Sequence, residues 1–307
     1  MSIAFMFAGQ GAQAVGMGKD FYETVPAAAR VFRMGEALRP GITALCFNGD
    51  SADLNRTENA QPSLFLTDLA IAASLRDAGV VPSAVAGFSL GEIPAMAFAG
   101  VMNEEDAFRF VLLRGDSMAK AAARHPGGMV AVLKLPPETV AALCRGFSEI
   151  WPVNYNCPGQ VSWGGSLAEI DDFCTAVKNA GGRAVKLPVS GAFHTPYMEE
   201  VSSVLGGFLH NTALNAPSVP LYANRTAEVY PSDPSGIAAR LTEQVCSPVL
   251  WEKTLHAMRE RGTDIFVEVG AGSTLSGFVR RTLPDVKVLT VNDTASFHAA
   301  LNELTGV

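Results

Sequence analysis

A Gly-x-Ser-x-Gly pentapeptide at residues 87–91 (GFSLG) joins an apolar run, 80–86, to a helix-like segment, 90–102. A strand that turns sharply into a helix at a serine lifts the hydroxyl out of the backbone and directs the free N–H groups of the helix toward it. Both glycines are needed because side chains there would collide. The same pattern occurs in ordinary glycine-serine loops, but the flanking strand and helix favour a nucleophile elbow with Ser89 as the reactive group.

Strand-like and helix-like segments alternate along most of the chain, which is typical of a parallel sheet wrapped by helices. This alternation of strand-like and helix-like segments changes near residues 125–128. The following segments read β-α-β-β-α-β up to residue 187, the order of a ferredoxin-like unit. We therefore predict an α/β protein with a large α/β-hydrolase-like domain built on a parallel sheet (1–125 and 190–307) and an inserted ferredoxin-like subdomain (126–189).

The composition of the 307 residues, 48% hydrophobic and 17% charged, is that of a globular protein. A net charge of −7 argues against non-specific nucleic-acid binding, which requires a basic surface. The apolar stretches are too short to span a bilayer, and no basic region precedes the first of them, so we expect a cytoplasmic protein without a signal peptide. A monomer is expected.

The five cysteines are odd in number, far apart and without zinc-ligand spacing. They suit reduced thiols packed as small hydrophobic groups, so neither disulfides nor a metal is expected. The glycine-rich segment 7–13 lacks the Lys-Ser/Thr of a phosphate-binding loop. The segment 270–275 has Leu275 where a dinucleotide fingerprint needs glycine, so we also exclude a dinucleotide site.

A serine near neutral pH needs a base, and His194 is the best placed of the five histidines. It lies where the predicted subdomain ends and a helix begins, at the junction of the two domains. The other four lie within helix patterns or beside a turn and are expected to be surface or packing residues. The carboxylates between Ser89 and His194 lie mostly in solvated helix patterns, so no triad acid is evident. A backbone carbonyl would then orient the histidine.

Taken together, these motifs resemble the malonyl-CoA:acyl carrier protein transacylase family of bacterial fatty-acid synthesis, which is related to the acyltransferase domains of polyketide synthases. The likeness covers essentially the whole chain. It rests on eight segments in order: 8–13 (AGQGAQ), 59–64 (NAQPSL), 87–92 (GFSLGE), 113–115 (LRG), 154–160 (NYNCPGQ), 192–196 (AFHTP), 244–249 (QVCSPV) and 268–272 (EVGAG).

The resemblance implies a role for each matching residue. Ser89 is the nucleophile and His194 the base, with the backbone carbonyl of Gln244 holding the imidazole. The backbone N–H groups of Gln10 and Leu90 form the oxyanion hole.

Further residues are implied to recognise the substrate. Arg114 pairs with the free carboxylate of malonate, for which a guanidinium supplies two charge-assisted hydrogen bonds that a lysine cannot match. In related acyltransferases a phenylalanine before the catalytic histidine goes with unbranched malonyl, and Phe193 fits that pattern. Asn156 and Gln160 help to shape the cleft.

Two positions depart from the family pattern. Phe88 stands where a histidine usually precedes the nucleophile, so a polar neighbour becomes an apolar wall, and the pH dependence and acyl-chain tolerance change with it. Ala271 and Ser273 replace the usual proline and lysine of the last glycine motif.

The function that the resemblance implies is malonyl transfer from malonyl-CoA to the phosphopantetheine thiol of acyl carrier protein, through a malonyl-serine intermediate and without a cofactor. The expected partners are malonyl-CoA, coenzyme A and acyl carrier protein, with no nucleic acid and no membrane. Three alternatives stay open: an acyltransferase of a polyketide pathway, a serine hydrolase or thioesterase, and a non-catalytic carrier-binding protein.

Overall fold

The computed structural model describes residues 2–306. Nine strands form in that part of the chain: β1 (Ile3–Phe7), β2 (Ala84–Gly87), β3 (Gly127–Leu133), β4 (Ile150–Cys157), β5 (Gln160–Ser166), β6 (Arg183–Lys186), β7 (Leu221–Tyr222), β8 (Ile265–Val269) and β9 (Lys287–Val291). The same residues form fourteen helices: α1 (Lys19–Thr24), α2 (Pro26–Leu38), α3 (Ile42–Asn48), α4 (Ser51–Asn55), α5 (Thr57–Asp77), α6 (Glu92–Phe98), α7 (Glu104–Arg124), α8 (Pro137–Cys144), α9 (Ile170–Asn179), α10 (Glu199–His210), α11 (Pro234–Gln244), α12 (Trp251–Glu260), α13 (Thr274–Thr282) and α14 (Thr294–Thr305).

The larger sheet is parallel, with the strand order β7-β2-β1-β8-β9. Its central strand β1 is apolar and buried throughout, as expected for a parallel strand covered on both faces. Phe7 at the end of β1 is in register with Gly87 of β2 and Val269 of β8. The carboxyl ends of these three strands therefore meet at one sheet edge, where ligands bind in open α/β sheets.

The smaller sheet is antiparallel, with the order β4-β5-β3-β6. The predicted α/β fold class is confirmed, and together with α8 and α9 the strands of this sheet follow the β-α-β-β-α-β order, which is consistent with the predicted ferredoxin-like unit. All four strands fall between residues 127 and 186. The domain boundaries at 125/126 and 189/190 stay a prediction.

Two local features of the helices have simple causes. Helices α1 and α2 are separated at Val25, which is extended because the following Pro26 disfavours helical geometry in the residue before it. The polar stretch 48–59 contains the short helix α4, whose first N–H groups are capped by the Asp50 carboxylate. No helix within residues 2–306 has the length and apolar character needed to cross a membrane.

Candidate active site

Ser89 stands on a sharp turn directly after β2, at the carboxyl edge of the parallel sheet. Its φ of 53° lies in the left-handed region, which a non-glycine residue adopts only where the surrounding structure imposes it. A Cβ on Gly87 would lie 1.9 Å from the backbone of Gly91, and one on Gly91 would lie 2.2 Å from the carbonyl oxygen of Phe7. Both glycines of the motif are therefore required, and the elbow predicted from the sequence forms.

His194 meets Ser89 across the site, with 2.7 Å between Oγ of the serine and Nε2 of the imidazole. His194 is buried and also has a positive φ, 62°. Its Nδ1 faces two carbonyl oxygens, those of Gln244 at 3.1 Å and Ser247 at 3.0 Å. Because a carbonyl only accepts, Nδ1 carries the proton and Nε2 is left to accept one from the Ser89 hydroxyl.

The surroundings of His194 keep its imidazole neutral. Burial, followed by the nearby charge of Arg114, lowers its pKa to about 4, although the carbonyls of Gln244 and Ser247 oppose the shift. A neutral imidazole near pH 7 can take a proton from serine. The dyad is thus in the state that general-base catalysis requires.

Arg114 projects from α7 and is only 1% exposed. Its guanidinium donates to the side-chain oxygens of Gln61 at 2.7 Å and Gln244 at 3.2 Å, and it lies 3.4 Å from the Ser89 hydroxyl. Within residues 2–306 it forms no ion pair with a carboxylate. Burial lowers its pKa to about 10, and the charge of Glu92 opposes the shift. A cation held in this way beside a serine hydroxyl is suited to bind an anionic group.

The side chain of Gln244 connects the groups of the site. Its amide nitrogen donates to the Ser89 carbonyl at 2.7 Å and to the Glu92 carboxylate at 3.0 Å. Its amide oxygen accepts from Arg114, while its backbone carbonyl faces His194. One residue therefore contacts Ser89, His194 and Arg114.

Asn224, in the loop after β7, forms hydrogen bonds with the backbone of the turn at Ser89. Its side-chain oxygen accepts from the Ser89 N–H at 2.6 Å, and its amide nitrogen donates to the Gly87 carbonyl at 2.6 Å. The backbone N–H of Asn224 also lies 3.3 Å from the carboxylate of Glu92. These bonds satisfy backbone groups that the sharp turn leaves without helical partners.

The residues implied for the oxyanion hole lie on two loops at the same edge. Gln10 follows β1 and lines the cavity, and its side chain donates to Thr57 at 3.2 Å and accepts from Gln61 at 3.3 Å. Leu90 follows the nucleophile with its side chain buried. The hydrogen-bonding role of the two backbone N–H groups stays a prediction.

A cavity of about 270 Å³ opens in front of Ser89 and His194. The other residues that the resemblance implicated, Phe88, Phe193, Asn156 and Gln160, all line it. Phe88 packs edge-on against Trp251, with 5.5 Å between ring centroids, and so forms part of an apolar wall.

The polar residues near the cavity mouth are held by neighbours on the smaller sheet and on α13. Asn156 donates to Ser162 at 3.1 Å, and Gln160 accepts from the side chain of Arg281 at 2.7 Å. Both therefore sit in fixed positions where the smaller sheet faces the large one.

Sequence reasoning missed three residues that hold the site together: Glu92, Ser247 and Asn224. Glu92 and Ser247 lie inside motifs that were noted for other residues, which was the available signal. Asn224 lies 135 positions from Ser89, and nothing in its neighbourhood marks it. Its role follows only from the three-dimensional pairing of β7 with β2.

The parallel sheet, the serine elbow and the neutral histidine beside it define a serine-dependent acyl-transfer enzyme. The chain belongs to the acyl transferase domain family, whose model matches residues 4–298.

Named relatives and solved structures extend this likeness over nearly the full chain. The malonyl CoA-acyl carrier protein transacylase of Bacillus subtilis (strain 168) is 34% identical over 98% of this chain and 97% of its own length. That of Escherichia coli (strain K12) is also 34% identical, over 97% and 98%. The crystal structure of the Clostridium perfringens transacylase of the same name superposes with a TM-score of 0.94 at 37% identity, covering 100% and 98% of the two chains.

A further similar structure is a malonyl-transacylase solved in complex with its type II PKS acyl-carrier protein. It has a TM-score of 0.95 and 31% identity, and the match covers 99% of this chain and 100% of that one.

Proposed function

We propose that this protein transfers a malonyl group from malonyl-CoA to the phosphopantetheine thiol of acyl carrier protein, through a malonyl ester on Ser89. The observation that carries the proposal is the buried guanidinium of Arg114, which lies 3.4 Å from the Ser89 hydroxyl and pairs with no carboxylate of residues 2–306. An acyl group bearing a second carboxylate would pair with this guanidinium directly. The names of the relatives agree with this substrate.

In the first half-reaction, His194 takes the Ser89 proton at Nε2 as Oγ attacks the thioester carbonyl. The carbonyls of Gln244 and Ser247 hold the imidazolium that forms, since both accept from its Nδ1–H. The backbone N–H groups of Gln10 and Leu90 would stabilise the negative charge on the tetrahedral oxygen. The carbon–sulfur bond then breaks, and His194 returns the proton to the departing thiolate.

In the second half-reaction, the thiol of the carrier enters in place of coenzyme A. His194 removes its proton, the sulfur attacks the malonyl ester, and the proton passes to Ser89 as the ester bond breaks. Both half-reactions are written with side-chain and backbone groups of this protein and with its two substrates. Residues 2–306 contain no group of three or more His, Cys, Asp or Glu side chains that could hold a metal ion.

The acyl pocket favours an unbranched chain. Phe193, directly before the base, is buried at the cavity wall, and Phe88 forms another apolar surface beside the nucleophile. A malonyl group extended between Ser89 and Arg114 needs little width. A branch on its α-carbon would meet the aromatic side chains, and this supports malonyl as the acyl group.

An exposed pair of cations offers a docking site for an acidic carrier protein. Arg280 and Arg281 stand on α13, and Phe278 of the same helix lines the cavity. Opposite charges near a cavity mouth steer association. The carrier would then deliver its pantetheine arm along this side. We propose fatty-acid synthesis as the pathway, and the similarity to the polyketide-associated complex keeps a polyketide carrier as the second candidate.

Incubation with malonyl-CoA alone, followed by intact-mass measurement, tests the proposal. A malonyl adduct that persists until reduced carrier protein is added indicates a transferase. Release of free malonate without carrier would indicate a hydrolase, and an unchanged mass with intact malonyl-CoA would indicate a binding protein. Comparing carriers of fatty-acid and polyketide type in the second step then decides between the two pathways.

A further inference from the structure

A second buried ionisable group, Glu92, is linked to Arg114 through one amide. Gln244 accepts from the Arg114 guanidinium at 3.2 Å and donates to Glu92 Oε2 at 3.0 Å. The hydroxyl of Tyr230 donates to Oε1 of the same carboxylate, and the N–H of Asn224 lies 3.3 Å from Oε2. Glu92 itself is fully buried.

Few charges act on Glu92 from the elements around it. Arg114 faces it from α7, and Tyr230 faces it from the loop after β7. Arg240 of α11 lies over the Tyr230 ring, 5.8 Å from its centroid. His194, on the far side of Gln244, is held neutral by its burial. Arg114 is therefore the cation whose charge acts on Glu92, and the two form a pair separated by the Gln244 amide.

We propose that Glu92 is the resident counter-charge of Arg114 and that its proton occupancy follows the acyl group, so that binding of a carboxylated acyl group is coupled to proton uptake at Glu92. The proposal rests on the assignment of Arg114 as the site for the malonyl carboxylate. While that position holds no anion, the Glu92 carboxylate balances the guanidinium. When the malonyl carboxylate arrives, Glu92 takes a proton from the solvent and becomes neutral.

The charge count explains the coupling. One guanidinium cannot compensate two carboxylates in a region of low dielectric, so the second one is favoured in its neutral form. Burial already raises the pKa of Glu92 to about 7, against the opposing effects of Tyr230, Gln244, Asn224 and Arg114. A further negative charge nearby moves it in the same direction.

The hydrogen bonds indicate which oxygen receives the proton. Oε2 faces two N–H donors, Gln244 and Asn224, and stays an acceptor. Oε1 faces only the hydroxyl of Tyr230, which can rotate and accept. The new O–H bond therefore forms at Oε1, and no bond within the substrate changes in this step.

Because proton uptake accompanies binding, the affinity for malonyl-CoA should depend on pH. Between the pKa of Glu92 in the free protein and its higher pKa in the complex, each pH unit weakens malonyl-CoA binding by up to about tenfold, because a proton must bind with the ligand. Acetyl-CoA brings no second carboxylate. Its affinity should show no such dependence, and the difference between the two ligands removes any contribution from the coenzyme.

Titration calorimetry on the Ser89→Ala protein, which binds without reacting, measures the proton directly. Malonyl-CoA is titrated about one pH unit above the Glu92 ionisation, in two buffers of different protonation enthalpy. For malonyl-CoA, we expect the binding enthalpy to differ between the buffers by an amount that corresponds to uptake of most of one proton. For acetyl-CoA, we expect almost no difference in binding enthalpy between the buffers. Equal uptake for both ligands would overturn the proposal.

Two further variants test whether Glu92 is the group that takes up the proton. Ser89→Ala/Glu92→Gln keeps an acceptor for Gln244 and Asn224 and should lose the uptake together with the pH dependence of malonyl-CoA affinity. Ser89→Ala/Tyr230→Phe removes a bond that lowers the pKa of Glu92 and should move the uptake to higher pH. Uptake that persists unchanged in the Glu92→Gln protein would place the proton elsewhere and overturn the assignment.

The same experiment separates the two proposals. Absence of malonyl-CoA binding, together with absence of a malonyl adduct on the unmodified protein, would overturn the proposed function and this inference with it. Binding and adduct formation without proton uptake would leave the function intact and overturn only the role of Glu92.

Discussion

Oγ of Ser89 and Nε2 of His194 lie 2.7 Å apart, although 105 positions separate the two residues in the chain. Each has a positive φ, so each is held in a backbone conformation that costs free energy by itself. The surrounding hydrogen bonds and the close glycine contacts hold both residues in place.

Ser89→Ala should abolish the malonyl adduct and leave the fold intact, because the half-buried hydroxyl contributes little packing. Intact mass after incubation with malonyl-CoA checks the first part, and thermal unfolding checks the second. Ser203→Ala, at an exposed serine of α10, is the matched control and should acylate normally. An adduct on another residue of the Ser89→Ala protein would show that the nucleophile has been misassigned.

Arg114→Ala should reduce malonyl transfer far more than acetyl transfer, since only malonyl presents a carboxylate to the guanidinium. Loss of one charge-assisted pair in a closed site should cost about 2 to 5 kcal/mol, or about 30-fold or more in rate. Arg109→Ala, at an exposed arginine of the same helix, serves as the control. Equal losses for the two acyl groups would indicate that Arg114 is only structural.

Self-acylation should keep its rate as the pH falls below about 6.5, the ordinary pKa of histidine. Burial lowers the pKa of His194 to about 4, and only the neutral imidazole accepts the serine proton, so the rate declines as the pH falls through that value. Rates are measured at saturating malonyl-CoA, which removes the effect of binding. Arg114→Ala removes a charge that lowers the pKa of His194. The acylation rate of this variant should therefore begin to decline at a higher pH than that of the unmodified protein.

His194→Ala should suppress acylation at every practical pH, because Phe88 cannot substitute for the base. Phe88→His should add a second titrating group and change the shape of the pH profile without changing which residue is acylated. Phe88→Leu, which keeps an apolar side chain, should retain the single-ionisation profile. Near-normal acylation by the His194→Ala protein would mean that the base lies elsewhere.

Gly91→Ala should strongly destabilise the protein, since the added Cβ would lie 2.2 Å from the Phe7 carbonyl oxygen, which belongs to the central strand. Gly207→Ala, on the exposed face of α10 with no atom within 4 Å of the new Cβ, should instead stabilise it by about 0.5 to 1 kcal/mol. Denaturant unfolding of the two variants checks the contrast. Equal stabilities would contradict the geometry of the elbow.

The sequence was most informative where one short segment determines both structure and chemistry. The elbow at 87–91, the glycine-rich turn after β1 and the position of His194 between the two sheets could all be predicted from local patterns. The α-β alternation also predicted the parallel sheet, because buried apolar strands separated by helices have few other arrangements.

The remaining features depend on contacts that local patterns do not encode. Burial of Arg114 follows from the packing of α7 against α5, which the sequence of α7 alone does not indicate. The hydrogen bonds between Asn224 and the turn at Ser89 depend on the pairing of strands that are distant in the chain. The second carbonyl that holds His194, from Ser247, depends on how the chain leaves α11. These positions became visible only once the strands and helices had been assembled.

The contacts of Gln244 with Ser89, His194 and Arg114 limit how this enzyme can diversify. A substitution there keeps the backbone carbonyl that faces His194 but removes the side-chain hydrogen bonds to the Ser89 carbonyl and to Arg114 at once. Such a change affects both the acylation rate and the choice of substrate, so few changes at that position leave a working enzyme. Phe88 and Phe193 line the cavity and lie outside this set of hydrogen bonds. New acyl specificities are therefore more accessible through the two aromatic positions, where pocket shape can change while the proton-transfer groups stay in place.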